Sequence, residues 1–333
     1  MGSLAASIDR VAMASRFSGV VRVDRDGRTE VAAAFGLACR PCGTLNRIDT
    51  RFATASVTKG FTALAVLRLV EQRRLELGTA VRSVLGNDLP LVGDDVTVEH
   101  LLSHRSGIGD YLDEEGWEPT DHVLAVPVHR LATAEDYLAV LDGQATAFAA
   151  GERFVYNNGA YVLLAIVAER VAGVPYHDLV QTEVFDRAGM RSASFDRSDE
   201  FPSNTAVGYL EVDGPRSNVL HLPVRGVGDG GVVASVADLH RFWTAFVGGR
   251  IVGERWLDEA VEPRSEDTGE PLRYGLGFWL SRRGAELVLE GHDAGMSVRS
   301  VHDRASGMSW TVVSNTPEGA WPLARLLTDE IGP

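Results

Sequence analysis

The chain has 333 residues, 45% hydrophobic and 23% charged. These proportions suit a globular protein of one large domain or two intimate ones, and exclude a disordered chain. A formal net charge of −14 argues against the basic face that nucleic acid requires, so no nucleic-acid partner is expected.

In chain order, residues 4–15 read as a short helix with Leu4, Ile8, Val11 and Ala12 on one face. Asp9 and Arg10 interrupt the apolar residues there, which argues against a secretory signal. No stretch approaches the roughly 20 apolar residues that span a bilayer, so the expectation is a cytoplasmic protein with no membrane partner. GVVRVDRDGRTEVAAAFG is a hairpin turning at Asp26-Gly27; as a calcium loop it lacks the later acidic ligands. Cys39 and Cys42 have the spacing of a redox pair or of half a zinc site. With no second pair and no strand-to-helix context, they are expected to be loop cysteines without a role. No metal or cofactor is expected.

Residues 52–62 read FATASVTKGFT and run into KGFTALAVLRLVEQRRL, a helix apolar nearly all round and therefore buried. From residue 76 to 204 the pattern is helical. TVEHLLSHRSG is capped by Thr97, and AEDYLAVLDG, NNGAYVLLAIVAERVAG and YHDLVQTEVFDRAGM follow. After residue 205 come short β-rich runs: GVVAS, RYGLGFWLS, AELVLEG, GMSVRSVHD and GMSWTVVSNT. Runs this close pair antiparallel, because parallel pairing needs a long crossover. SVADLHRFWTAFVGG is a helix with a Ser235–Asp238 capping box, and WPLARLLTDEI closes the chain. The pattern predicts an α+β fold: an antiparallel sheet flanked by helices on both faces. The sheet domain is discontinuous (1–75 and 205–333), with an inserted, mostly α-helical lobe at 76–204.

Several motifs have an ordinary explanation. GVGDGG (226–231) satisfies G-x-G-x-x-G, but no βαβ unit surrounds it, so it reads as a flexible entry to a strand. His100 and His104 share a helical face without the third ligand or enclosed glutamate of a zinc site, and read as histidines bonding nearby backbone. No G-x-S-x-G elbow occurs.

Ser56 and Lys59 are different. Three apart at the head of a buried helix, they lie on one face. A serine hydroxyl needs an adjacent base, and a desolvated lysine is able to serve as one. Tyr156 and Asn158 precede a later helix, and His292-Asp293-Ala294-Gly295 begin a predicted strand.

S-x-x-K, then Y-x-N, then a strand-borne H-x-G or K-T-G resembles the order of the penicillin-recognising serine hydrolases. Class C β-lactamases, the D-alanyl-D-alanine carboxypeptidase with an SVTK motif, and their esterase and D-aminopeptidase relatives look most similar. GERFVYNNGAYVLLA, GDGGVVASVADLHRFW and YGLGFW add to the likeness, which runs from about residue 17 to 315. The resemblance implies a Ser56 nucleophile that forms an acyl-enzyme, Lys59 as base or proton relay, and Tyr156 as proton shuttle to the leaving group. It further implies Asn158 as the binder of the substrate amide, and the backbone N–H groups of Ser56 and Gly295 as oxyanion hole. The third motif departs from the family: His292-Asp293-Ala294 replaces H-x-G, and Gly295 stands where a hydroxyl residue helps to hold a carboxylate. Asp293 would repel a carboxylate. The expectation is an esterase, amidase or D-peptidase of small molecules or peptides, as monomer or homodimer. Acyl transfer to a nucleophile other than water, or a silent binding protein on the same scaffold, are the alternatives.

Overall fold

The computed structural model describes residues 3–112, 123–200, 202–269 and 271–332. Residues 113–122 lie outside them.

Helix α1 (Leu4–Ala14) leads into β1 (Gly19–Arg25) and β2 (Arg28–Phe35), followed by the short strands β3 (Leu37–Cys39), β4 (Thr44–Leu45) and β5 (Phe52–Ala53). Then come α2 (Thr58–Glu71), α3 (Arg82–Leu85), α4 (Val98–Leu102), α5 (Leu138–Leu141), α6 (Asn158–Ala172), α7 (Tyr176–Val180) and α8 (Asp186–Ala188). Strand β6 (Ser194–Phe195) and β7 (Val232–Ala234) precede α9 (Val236–Val247) and α10 (Glu254–Val261). The chain ends with β8 (Leu272–Tyr274), β9 (Trp279–Ser281), β10 (Glu286–Asp293), β11 (Met296–Asp303), β12 (Ser309–Ser314) and α11 (Trp321–Ile331).

Seven strands form one antiparallel sheet in the order β2-β1-β12-β11-β10-β9-β8, so the first hairpin lies beside the C-terminal meander. Side chains alternate between two cores, as period-2 pleating requires. Val21, Val23, Val288 and Trp310 meet α1 and α11 on one face. Val20, Leu287, Leu289 and Val313 meet α2 and its neighbours on the other. Helix α2 is buried from Thr58 to Leu67, because it runs between this sheet and α6. Its all-round apolar sequence therefore has a partner on every side.

Four local expectations need correction. GVVAS is not in the main sheet: β7 is the centre of a small sheet, β5-β7-β6, and β6 is a strand inside the stretch expected to be helical. RYGLGFWLS is two strands, since a tight turn in which Gly275 N–H donates to the Phe278 carbonyl separates β8 from β9. AEDYLAVLDG makes only a 3-10 turn and the one-turn helix α5. Cys39 and Cys42 are joined by a disulfide across the β3–β4 turn rather than sitting in a loop without a role. Between them, Arg40 reaches the carbonyls of Glu211, Val212 and Gly214 and covers the Tyr209 ring. Among the described residues no single helix is long and apolar enough to cross a membrane, and no group of three His, Cys, Asp or Glu is placed to hold a metal.

Candidate active site

Strand β5 delivers the chain to a 3-10 turn, Ala55–Val57, that carries Ser56 into the N-terminus of α2. Ala55 holds φ at +44°, a conformation that costs a non-glycine residue on the order of 1–3 kcal/mol and persists only where the surroundings enforce it. The enforcing contacts come from β5–β7 pairing on one side and from β10 on the other. A Cβ on Gly291 would lie 2.4 Å from the Thr54 carbonyl and 3.0 Å from the Ser56 nitrogen. Only a glycine lets the strand approach Ser56 this closely.

Lys59, 2% exposed, begins the helix one turn later. Its Nζ lies 2.9 Å from Ser56 Oγ, 2.7 Å from Asn158 Oδ1 and 3.1 Å from the Asp229 carbonyl. Two of these partners are fixed acceptors. An amine that donates a proton to each of them keeps its lone pair for the Ser56 hydroxyl, which is the arrangement a general base requires. The face of Tyr156 lies 4.8 Å from Nζ.

The Gly-rich stretch 226–231 is the entry to strand β7, as expected, and also supplies the Asp229 carbonyl. A Cβ on Gly228 would collide with the Tyr161 carbonyl at 1.8 Å. The Gly228 carbonyl itself accepts a bond from Thr62 on α2. The segment is thus clamped between α2 and α6, with Asp229 facing Lys59. Tyr111 donates to the Asp229 carboxylate at 2.5 Å, and burial beside that carboxylate drives the Tyr111 phenol well above its ordinary range.

Asn158 is the first residue of α6, whose N-cap is Asn157. Asp110 accepts from the backbone N–H groups of Asn158, Gly159 and Leu112 at 2.6, 2.9 and 3.2 Å. A carboxylate at a helix N-terminus is favourable, but burial pushes the Asp110 carboxyl up to about 6. The segment entering α6 rests on His104, a fully buried histidine just past α4. His104 does bond nearby backbone, since its Nδ1 accepts the Asn157 N–H at 3.1 Å.

Two cavities meet at Ser56. One contains Asn158, Asp229 and Asp293, with apolar walls that include Leu124 and Leu222. The other contains Tyr156, Trp279, Glu290 and Arg299. His292 borders both. Ser56, Lys59, Tyr156, Asn158, His292 and Asp293 are therefore brought together. Gly295 is not among the cavity residues. His292 and Asp293 end β10 instead of beginning a strand, and Ala294-Gly295 form the two-residue turn to β11. Gly295 holds φ at +75°, packs against Gly208 and Asn218, and is followed by Met296 rather than by an exposed edge. Asp110, Asp229, Trp279 and Gly291 were not singled out from the sequence, and His104 was read only as bonding nearby backbone. G-I-G-D-Y and L-L-S-H were visible as text, but their roles depend on contacts 48 to 170 residues away in the chain.

The family model for Beta-lactamase matches residues 6–330. The chain belongs to this family. Penicillin-binding protein 4* of Bacillus subtilis (strain 168) is 29% identical over 301 residues, 84% of this chain and 63% of that protein. Esterase EstB of Burkholderia gladioli is 36% identical over 228 residues, 62% of this chain and 55% of that protein. The chain thus spans about three fifths of the length of these curated relatives. A penicillin binding protein from Bacillus halodurans superimposes with a TM-score of 0.88 at 29% identity, covering 99% of both chains. Membership in the family and this likeness give the α+β architecture of the chain its name, the β-lactamase and penicillin-binding fold.

Proposed function

We propose that this β-lactamase family member is a serine acyl hydrolase acting through an acyl-enzyme on Ser56. The observation that carries the reading is the Lys59 amine, held 2.9 Å from Ser56 Oγ by two other acceptors. Ser56 Oγ forms the new bond to the acyl carbon while its proton passes to the Lys59–Tyr156 pair. Tyr156 then returns a proton to the leaving group as the bond to it breaks. Water repeats the sequence against the acyl-enzyme, and releases the acid and free Ser56.

The developing oxyanion needs two donors. Ser56 N–H is one. For the second, hairpin parity favours His292 over Gly295. A two-residue turn closes on a pair that exchange hydrogen bonds, here Asp293 and Met296. Asp293 and Gly291 therefore spend their N–H groups on β11, and the N–H of His292 points to the opposite edge. Strand β9 covers that edge only at Leu287 and Val288. Such a donor is worth about 3–4 kcal/mol of barrier.

Because Tyr156 serves the leaving group and Asn158 the acyl amide, the leaving group belongs in the Tyr156–Trp279 cavity and the acyl group in the Asn158 cavity. Asp229 and Asp293 on the acyl side disfavour a free carboxylate there. A neutral or cationic ester, amide or D-peptide fits, in keeping with the curated relatives named esterase and D-aminopeptidase. A fluorophosphonate probe read by intact mass should add one adduct to the wild type and none to Ser56→Ala. Equal labelling of the two proteins would overturn the reading.

A further inference from the structure

His104 has no part in the steps above, yet it contacts the segments that carry them. It follows α4 with φ at +56°, in the left-handed region that costs a non-glycine residue on the order of 1–3 kcal/mol. Its ring is fully buried. The ring centroid lies 4.4 Å from that of Tyr156, 4.9 Å from Tyr161 and 4.8 Å from Tyr274. The His104 carbonyl accepts the Val155 N–H at 2.9 Å, and Nδ1 accepts the Asn157 N–H at 3.1 Å. One residue therefore holds the chain on both sides of Tyr156, and also supports the ring from beneath.

The hydrogen bonds determine the tautomer. A backbone N–H is only a donor, so Nδ1 is bare and the proton is on Nε2. Nε2 then donates to the Tyr274 hydroxyl, 3.2 Å away. The titratable groups facing the ring are Lys59 from α2, Tyr156 from the segment before α6, Tyr161 from α6 and Tyr274 from β8. No carboxylate is among the groups that shift His104. Burial, and next the charge of a protonated Lys59, hold the imidazole well below the ordinary histidine range. A charged imidazole would also lose its bond from Asn157.

We propose that His104 is a positioning residue for the reaction: a neutral, Nε2-protonated imidazole that seats the Tyr156 ring and holds the backbone on either side of it. The proposal rests on the role given to Tyr156 above. It is distinct from a general packing role because the effect of His104 should pass through Tyr156.

A double-mutant cycle on a p-nitrophenyl ester tests this. His104→Ala should lower kcat about 100-fold with KM changed less than about threefold, since a small misplacement of a catalytic group costs this much. In a Tyr156→Phe background the same substitution should cost less than about threefold. His104→Asn, whose amide oxygen can take the Asn157 N–H, should recover part of the loss. Equal losses in both backgrounds would overturn the proposal. A fully active Tyr156→Phe would overturn the role of Tyr156 and this proposal with it, whereas a Tyr156-dependent enzyme with additive losses sinks this one alone. If the variants fail to fold, 15N shifts of the wild-type imidazole decide. A bare Nδ1 and protonated Nε2, unchanged from pH 5 to 8, is expected; titration in that range or an Nδ1 proton overturns it.

Discussion

The two walls of the site are built on different principles. On the helical wall, Ser56 lies in the 3-10 turn that leads into α2 and Lys59 in the first turn of α2, and the amine is held by side chain and backbone from two further segments. On the strand wall, the proposed steps draw no nucleophile or base from β10. It offers a glycine that permits close approach and a backbone edge. One wall works through side chains at a helical spacing and the other through register, so the two are unequal in what a substitution can disturb. A changed side chain removes a group from the first wall, whereas on the second it moves the strand.

The largest effect is expected on the helical wall. Lys59→Ala removes the group on which Ser56 Oγ, Asn158 Oδ1 and the Asp229 carbonyl converge. Loss of a general base costs about 10²–10⁴ in rate. Ester turnover should fall to the upper part of that range, because Asn158 loses its partner as well. A variant retaining more than a tenth of wild-type kcat would remove Lys59 from the mechanism.

On the strand wall, Gly291→Ala and Gly295→Ala separate the two candidate oxyanion edges. A methyl on Gly291 meets the Thr54 carbonyl at 2.4 Å and the Ser56 nitrogen at 3.0 Å, so β10 must retreat from the nucleophile. A shift of this kind is worth about 10² in kcat. The atoms nearest a methyl on Gly295 belong to Gly208 and Asn218, at 2.9 and 3.0 Å, and the positive φ costs about 1–2 kcal/mol of stability. Its thermal midpoint should drop by a few degrees, and its kcat should fall at least tenfold less than that of Gly291→Ala. The reverse ranking would return the oxyanion role to Gly295.

This contrast also explains what could be read from the sequence. Ser56 and Lys59 were legible because their relation is local: three residues on one helix suffice. The α+β layout was legible for a similar reason, since hairpins and meanders pair neighbours in the chain. Register was not. EGHDAGMS was divided one strand too early, because nothing in the text marks Ala294-Gly295 as the turn, and a one-residue slip reassigns every N–H. GVVAS was assigned to the main sheet, since a short apolar run does not state its partner. The Asp229 carbonyl was invisible as a functional group, because any residue supplies one. What made Asp229 significant was Gly228 against Tyr161, a contact across 67 positions of sequence. His104 was correctly read as bonding backbone, but the backbone in question flanks Tyr156.

The smallest effect concerns Asp110, on the helical wall, where two forces oppose one another. Three backbone N–H groups favour its ionised form, and burial together with the Asp229 charge disfavours it; burial is the larger, so the carboxyl is pushed up to about 6. The unfolded value lies near 3.9. A folded pKa above the unfolded one contributes stability that is complete below about pH 4 and is lost as pH rises through 6. Asp110→Asn cannot ionise and escapes that loss, although it forfeits one acceptor to the α6 backbone. The stability of the variant relative to wild type should therefore rise by on the order of 2 kcal/mol between pH 4 and pH 7, as read from urea midpoints. If it falls instead, the three N–H groups outweigh burial, and Asp110 is an ionised cap that holds Asn158 in place by charge.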